Sequence, residues 1–194
     1  MKTVLILTDL SKNSLNAAEA GLTLAIQIHA NLAIFHSCLD IPIQPFYPDA
    51  SWINEDQNWL DESEKQLKAL AKHLKTFGEK MYPDQKLPSI HCEVGHGELA
   101  VNIKNIVDKN RAELIVMGGR TGTQIEHLVF GSDTDAIVSY CNKPILIVDQ
   151  KKPMRKLDKI TFATDFKEDD ISAIKLLLKY RQQCQCELDI VHVK

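Results

Sequence analysis

Four near-continuous apolar runs, Val4 to Leu7, Leu32 to Phe35, Leu114 to Met117 and Ile145 to Val148, limit most tightly what this chain can fold into. Each has the length of a strand, and none alternates apolar with polar residues, so each fits a strand covered on both faces. The segments between them supply the cover. Leu15, Ala18, Leu22, Ala25 and Ile26 make one stripe at helical spacing; Leu60, Leu67, Leu70, Leu74, Phe77 and Met81 make a second, longer one; Leu99, Ile103, Ile106 and Val107 make a third. A weaker strand around Ile90 to Val94 and a short helix from Ser132 to Tyr140 complete the series. Alternating strands and helices predict an α/β fold, an open five-stranded parallel sheet with helices on both faces and right-handed crossovers. Its strands are expected near 3–9, 31–37, 89–94, 113–118 and 144–148.

The pattern then begins again. After Asp149 comes a basic, proline-bearing connector, QKKPMRK, followed by KITFATDFKEDDISAIKLLLKY and CELDIVHVK. Laid over the start of the chain without gaps, this stretch pairs Thr8-Asp9 with Thr164-Asp165, Ala17 with Ala173, Leu32 with Leu188, Ile34 with Ile190 and His36 with His192. Identities in one register argue for an internal repeat. The expected division is a domain over 1–149, a linker over 150–155 and a partial second β-α-β repeat over 156–194. Some forty residues cannot bury a core of their own. Either the natural chain runs further, or another chain or the first domain completes this half-unit.

Composition narrows the partners. With 44% hydrophobic and 25% charged residues and a net charge of −3, the chain has no basic excess with which to neutralise a nucleic-acid backbone. The apolar run before Asp9 is too short for a signal-peptide core or a membrane span, which points to a cytoplasmic protein with no membrane partner. The five cysteines show no CxxC spacing and read as reduced, packed residues. His91, Cys92 and His96 lack a second ligand pair at finger spacing, so no metal site is assigned.

In open α/β sheets a ligand binds at the carboxyl ends of the strands, where strand order reverses. For the order 3-2-1-4-5 that point lies between the first and fourth strands, which end at Asp9 and at Met117-Gly118. The fourth strand runs into MGGRTGTQIEHLVFGS, whose glycines can bring bare backbone amides to a phosphate, and the helix after Gly131 offers free amides. A plainer reading stands beside it: Ser132 is an ordinary N-cap, and Gly118-Gly119 simply end a strand. Asp133 and Asp135 would repel a phosphate unless a cation such as Mg2+ intervened. Asp9 has the same two readings, a ligand contact or a turn aspartate ahead of a helix capped by Ser11, Asn13 or Ser14. His36 and His192 read as packed or hydrogen-bonded strand residues, and His127 has no acid or nucleophile at a telling spacing.

ILTDLSKNSLNAA together with ELIVMGGRTG and GSDTDAIVSYCNKPILIV resembles the universal stress protein family across residues 1–149, and residues 156–194 resemble the start of a second such domain. The resemblance implies the adenine-nucleotide alpha-hydrolase-like sheet described above. It also implies ATP or a related adenine nucleotide as ligand, with Asp9 at the adenosine end and Gly118, Gly119, Arg120, Thr121, Gly122, Gly131 and Ser132 around the phosphates. The family pattern Gly-x2-Gly-x9-Gly-Ser/Thr keeps Gly118 and Gly131-Ser132 in place. By strict count Thr121 takes the middle glycine, flanked by Gly119 and Gly122. The resemblance further implies a homodimer or a tandem pseudo-dimer through the fifth strand. No general base accompanies the loop, so no catalytic residue is assigned and turnover is expected to be slow or absent. An interaction module of the same fold, working through that edge strand and the aromatic segment after the second strand (Phe46, Tyr47, Trp52, Trp59), is the competing reading.

Overall fold

Why the first strand is apolar from Val4 to Leu7 is plain from its place in the sheet. The computed structural model describes residues 2–38, 51–97, 99–119, 137–149, 151–152 and 154–192, with the backbone alone at 13, 51–58, 100 and 101. Every residue of β1 (Thr3–Leu7) is buried. Successive side chains of a strand point to opposite faces, so Val4 and Ile6 join one core cluster while Leu5 and Leu7 join another. The first cluster holds Leu22, Leu24 and Ile26 of α1 (Leu15–Gln27) with Leu67 and Leu74 of α2 (Ser51–Met81). The second holds Ile103, Ile106 and Val107 of α3 (Leu99–Asn110). β2 (Asn31–Cys38) and β4 (Ala112–Gly118) divide in the same way, Leu32, Ile34, Leu114 and Val116 to one side and Ala33, Phe35, Ile115 and Met117 to the other.

With β3 (Ile90–His96) and β5 (Ile145–Val148) these strands form one parallel sheet in the order β3-β2-β1-β4-β5, as expected. Close approach of α1 to β1 depends on Gly21, where a Cβ would lie 2.7 Å from Ile6 Cγ1. The aromatic segment after β2 is helical from Ser51 onward, and Trp59 stands 62% exposed on that helix. No proline follows Pro48 until Pro83, so nothing interrupts the helical hydrogen-bond ladder there. Pro42, Pro45, Phe46, Tyr47 and Pro48 lie outside the described residues. Of the short helix expected from Ser132, a turn at 137–140 is described, with Ile137 fully buried beneath it.

A second, separate sheet follows. β6 (Lys159–Thr164) and β7 (Glu187–His192) pair in parallel, connected by α4 (Asp170–Cys184). Its backbone repeats that of β1-α1-β2 atom for atom in several places. The Asn31 amide donates to the Lys2 carbonyl at 2.8 Å, and the Glu187 amide donates to the Asp158 carbonyl at 2.9 Å. Past the first helix the Ala30 amide reaches the Ala25 carbonyl around a left-handed His29 (φ 53°); past the second, the Cys186 amide reaches the Arg181 carbonyl around a left-handed Gln185 (φ 53°). Leu10 (φ 59°) and Phe166 (φ 63°) hold the same left-handed position after the first strand of each unit.

This second unit docks at the end of the large sheet where β1 and β4 begin. Tyr180, Cys184 and Cys186 are buried in the core cluster of α1 and α2. Lys179 Nζ lies 3.3 Å from a Glu113 carboxylate oxygen, the Tyr82 hydroxyl donates to the Arg155 carbonyl at 2.6 Å, and the Leu157 amide donates to Gln27 Oε1 at 3.1 Å. Burial pushes the Tyr180 hydroxyl up to about 12, helped by the Glu113 carboxylate and by Cys184. The elements around the five-stranded sheet thus cover one side of this β-α-β unit, while Phe166, Ile171, Leu178, Ile190 and Val191 remain exposed.

Candidate functional site

The point at which strand order reverses lies between β1 and β4, which pair directly. Leu7 is level with Met117, and Asp9 and Gly119 each follow that last paired rung by two residues. The carboxylate-bearing turn and the start of the glycine loop therefore leave the sheet side by side, at its carboxyl edge.

On the β1 side a compact polar network shapes the exit. The Thr8 hydroxyl accepts the Leu10 amide at 3.0 Å and lies 2.8 Å from the Ser14 hydroxyl, which donates to the Ser11 carbonyl at 2.8 Å. Asp9 Oδ1 accepts both the Ser11 amide at 3.0 Å and the Ser11 hydroxyl at 2.7 Å. Partial burial pushes the Asp9 carboxyl up, but the hydrogen bonds from Ser11 and Ser14 outweigh it and hold the group below the usual carboxylate range. Asp9 is thus a charged turn aspartate, exposed to solvent. Neither Ser11 nor Ser14 caps a helix through its side chain; both are drawn into the Thr8–Asp9 turn instead.

On the β4 side, Gly118 is level with Val148 of β5. Gly119 donates its amide to the Val148 carbonyl at 2.9 Å, and a Cβ there would come within 3.1 Å of Ile147 Cγ2. That amide continues the β4–β5 ladder, so a phosphate would take its donors from further along the loop. Arg120, Thr121, Gly122, Gly131 and Ser132 lie outside the described residues, as does His127.

His36 was read from sequence as a packed or hydrogen-bonded strand residue, and its Nδ1 lies 2.8 Å from the Thr8 carbonyl. The sequence signal for that partner, 28 residues away, was the recurrence of Thr8 and His36 as Thr164 and His192, where the same contact is made. His91 and Cys92 cannot converge on one ion, because adjacent strand residues face opposite ways; the Cys92 thiol points to the Leu67 carbonyl at 3.7 Å. Among the described residues no group of three His, Cys, Asp or Glu side chains is placed to hold a metal, and no helix is long and apolar enough to cross a membrane. All five cysteines are free thiols.

Comparison with known proteins gives a consistent result. The model of the universal stress protein family matches residues 1–149. A universal stress protein of Methanocaldococcus jannaschii is 28% identical over 158 residues, spanning 80% of this chain and 85% of that one. Among solved structures, a universal stress protein from Archaeoglobus fulgidus superposes with a TM-score of 0.75 at 18% identity over 99% of this chain and 67% of its own. A universal stress protein crystallised in complex with cAMP superposes with a TM-score of 0.52 at 20% identity, over 77% of this chain and 97% of its own.

Proposed function

The chain belongs to the universal stress protein family, and from that premise we propose that it binds an adenine nucleotide between β1 and β4 as a regulatory ligand. The observation that carries this reading is the pairing of two strand ends at the switch point, Leu7 level with Met117, which leaves Asp9 and Gly118-Gly119 just beyond the last rung. A charged, partly hydrogen-bonded aspartate suits the hydroxyls or amine of an adenosine, and the loop after Gly118 suits its phosphates. Complexation of a similarly folded protein with cAMP supports an adenine nucleotide. ATP is the ligand we favour, with Gly118, Arg120, Thr121, Gly122, Gly131 and Ser132 at its phosphates. Mg2+ would offset Asp133 and Asp135. We assign at most slow hydrolysis.

In the same proposal residues 1–149 form one domain, 150–155 a linker and 156–194 a partial repeat, in a cytoplasmic protein. β5 is one of the two edge strands of the sheet, and a homodimer or pseudo-dimer would form along it. One observation favours the competing reading, an interaction module without nucleotide: the Gly119 amide is already committed to Val148. Calorimetric titration with ATP, with and without magnesium, separates the two. Binding that disappears in Gly118→Val, with the melting temperature unchanged, upholds the nucleotide reading; no heat at ligand concentrations on the order of millimolar favours the module.

A further inference from the structure

Both β-α-β units carry one side-chain device that sheet formation by itself does not require. In the first unit the β1–β2 ladder runs up to the Thr8 amide, which donates to the Phe35 carbonyl at 3.0 Å. At the next rung the Thr8 carbonyl meets an imidazole, His36 Nδ1 at 2.8 Å. In the second unit His192 Nδ1 lies 2.9 Å from the Thr164 carbonyl, and the Phe166 ring packs on that imidazole with centroids 4.5 Å apart. A carbonyl oxygen only accepts, so Nδ1 carries the proton in both rings.

The Thr8 carbonyl belongs to the same rigid plane as the Asp9 amide. Holding that oxygen fixes the plane, and with it the direction in which Asp9 leaves the strand. The Thr8 hydroxyl adds the Leu10 amide at 3.0 Å and the Ser14 hydroxyl at 2.8 Å, so the threonine is held at its amide, carbonyl and side chain. Thr164 repeats this, accepting the Phe166 amide at 2.9 Å and donating to the Asp170 carboxylate. Beyond each threonine the chain passes through a left-handed leucine or phenylalanine, a conformation that surrounding bonds must enforce.

We infer that His36 is a positioning residue for the carboxyl end of β1: its Nδ1 pins the Thr8–Asp9 peptide and so sets the direction in which Asp9 leaves the strand, and His192 pins the Thr164–Asp165 peptide in the same way. The link to ligand rests on the adenine-nucleotide reading above; the link to the Asp9 backbone does not.

Three substitutions test it: His36→Asn, His36→Gln and His36→Leu. The asparagine amide nitrogen sits where Nδ1 sits, whereas that of glutamine reaches toward the position of Nε2. ATP affinity and the NMR shifts of the Asp9 and Ser11 amides are measured on the full chain. Asparagine is expected to preserve the shifts and the affinity, whereas leucine and glutamine move the shifts and weaken binding by about tenfold, the weight of one net hydrogen bond. Rescue by glutamine but not asparagine would show Nε2 touching the ligand and overturn the inference. So would unchanged shifts and affinity in all three. If the unsubstituted protein binds no nucleotide, the ligand reading falls alone and the shifts decide: movement in leucine and glutamine but not asparagine upholds the pin, and any other pattern overturns it.

Discussion

The units β1-α1-β2 and β6-α4-β7 share a backbone and differ in almost everything that surrounds it. Turns, helix ends and ladder bonds recur at matching positions, because they are set by residues close in sequence. Burial does not recur, because it is set by what packs from outside. Leu5 and Ala33 are buried under α3, and the residues in their places are Thr161 and Asp189, both exposed. An ion pair between Lys159 and Asp189 at 2.6 Å lies on that same face of the small sheet. Gly21, which lets α1 settle on β1, has Leu177 as its counterpart. Leu10 packs against the core, while Phe166 in the matching position is 74% exposed. One local code therefore serves a central layer in the first unit and an outer layer in the second.

The comparison can be broken at matched leucines. Leu22 is fully buried and Leu178, its counterpart, is 46% exposed. Leu22→Ala is expected to cost about 3 kcal/mol in denaturant unfolding, and Leu178→Ala under about 0.5 kcal/mol. Equal costs would show that something covers α4 in solution. A smaller effect sharpens the docking of the second unit. The Tyr180 hydroxyl is pushed up to about 12, and burial likewise pushes the Cys184 thiol up to about 11, with Cys186 adding to it. Both groups stay protonated in the folded protein after the unfolded chain has ionised, so stability is full below their ordinary values and falls as pH rises towards those of the folded state. Tyr180→Phe should flatten the alkaline part of that decline by roughly 2 kcal/mol, measured by urea unfolding across a pH series. The smallest effect is expected at the rim: Lys179→Met removes a half-exposed pair with Glu113 and should change stability by about 0.5 kcal/mol or less, with the difference vanishing in high salt.

Apolar runs on both faces of β1, β2 and β4 made a covered parallel sheet legible, since a central parallel strand needs leucine or isoleucine pointing both ways, whereas the strand order was assumed and not read from the residues. The second β-α-β segment was legible through the match of Thr8-Asp9 with Thr164-Asp165. The start of α2 was hidden, because the prolines up to Pro48 and the aromatics beyond them look alike in composition while only the prolines break a helix. At the site, Asp9 and Gly118 were found at neighbouring strand ends because sheet topology alone dictates it. The roles of His36, Ser11 and the Gly119 amide were not, as each depends on a hydrogen-bond partner chosen by the folded backbone and not by residue type.

Tyr180, Cys184 and Cys186 lie in the same cluster as residues of α1 and α2, so the stretches of chain before and after Asp149 share one interior. A fragment ending there would carry a bare greasy strip along α1, prone to sticking to its own kind. The trailing unit thus acts as a cladding for the leading one, and any attempt to work with the leading unit in isolation has to replace that cladding first.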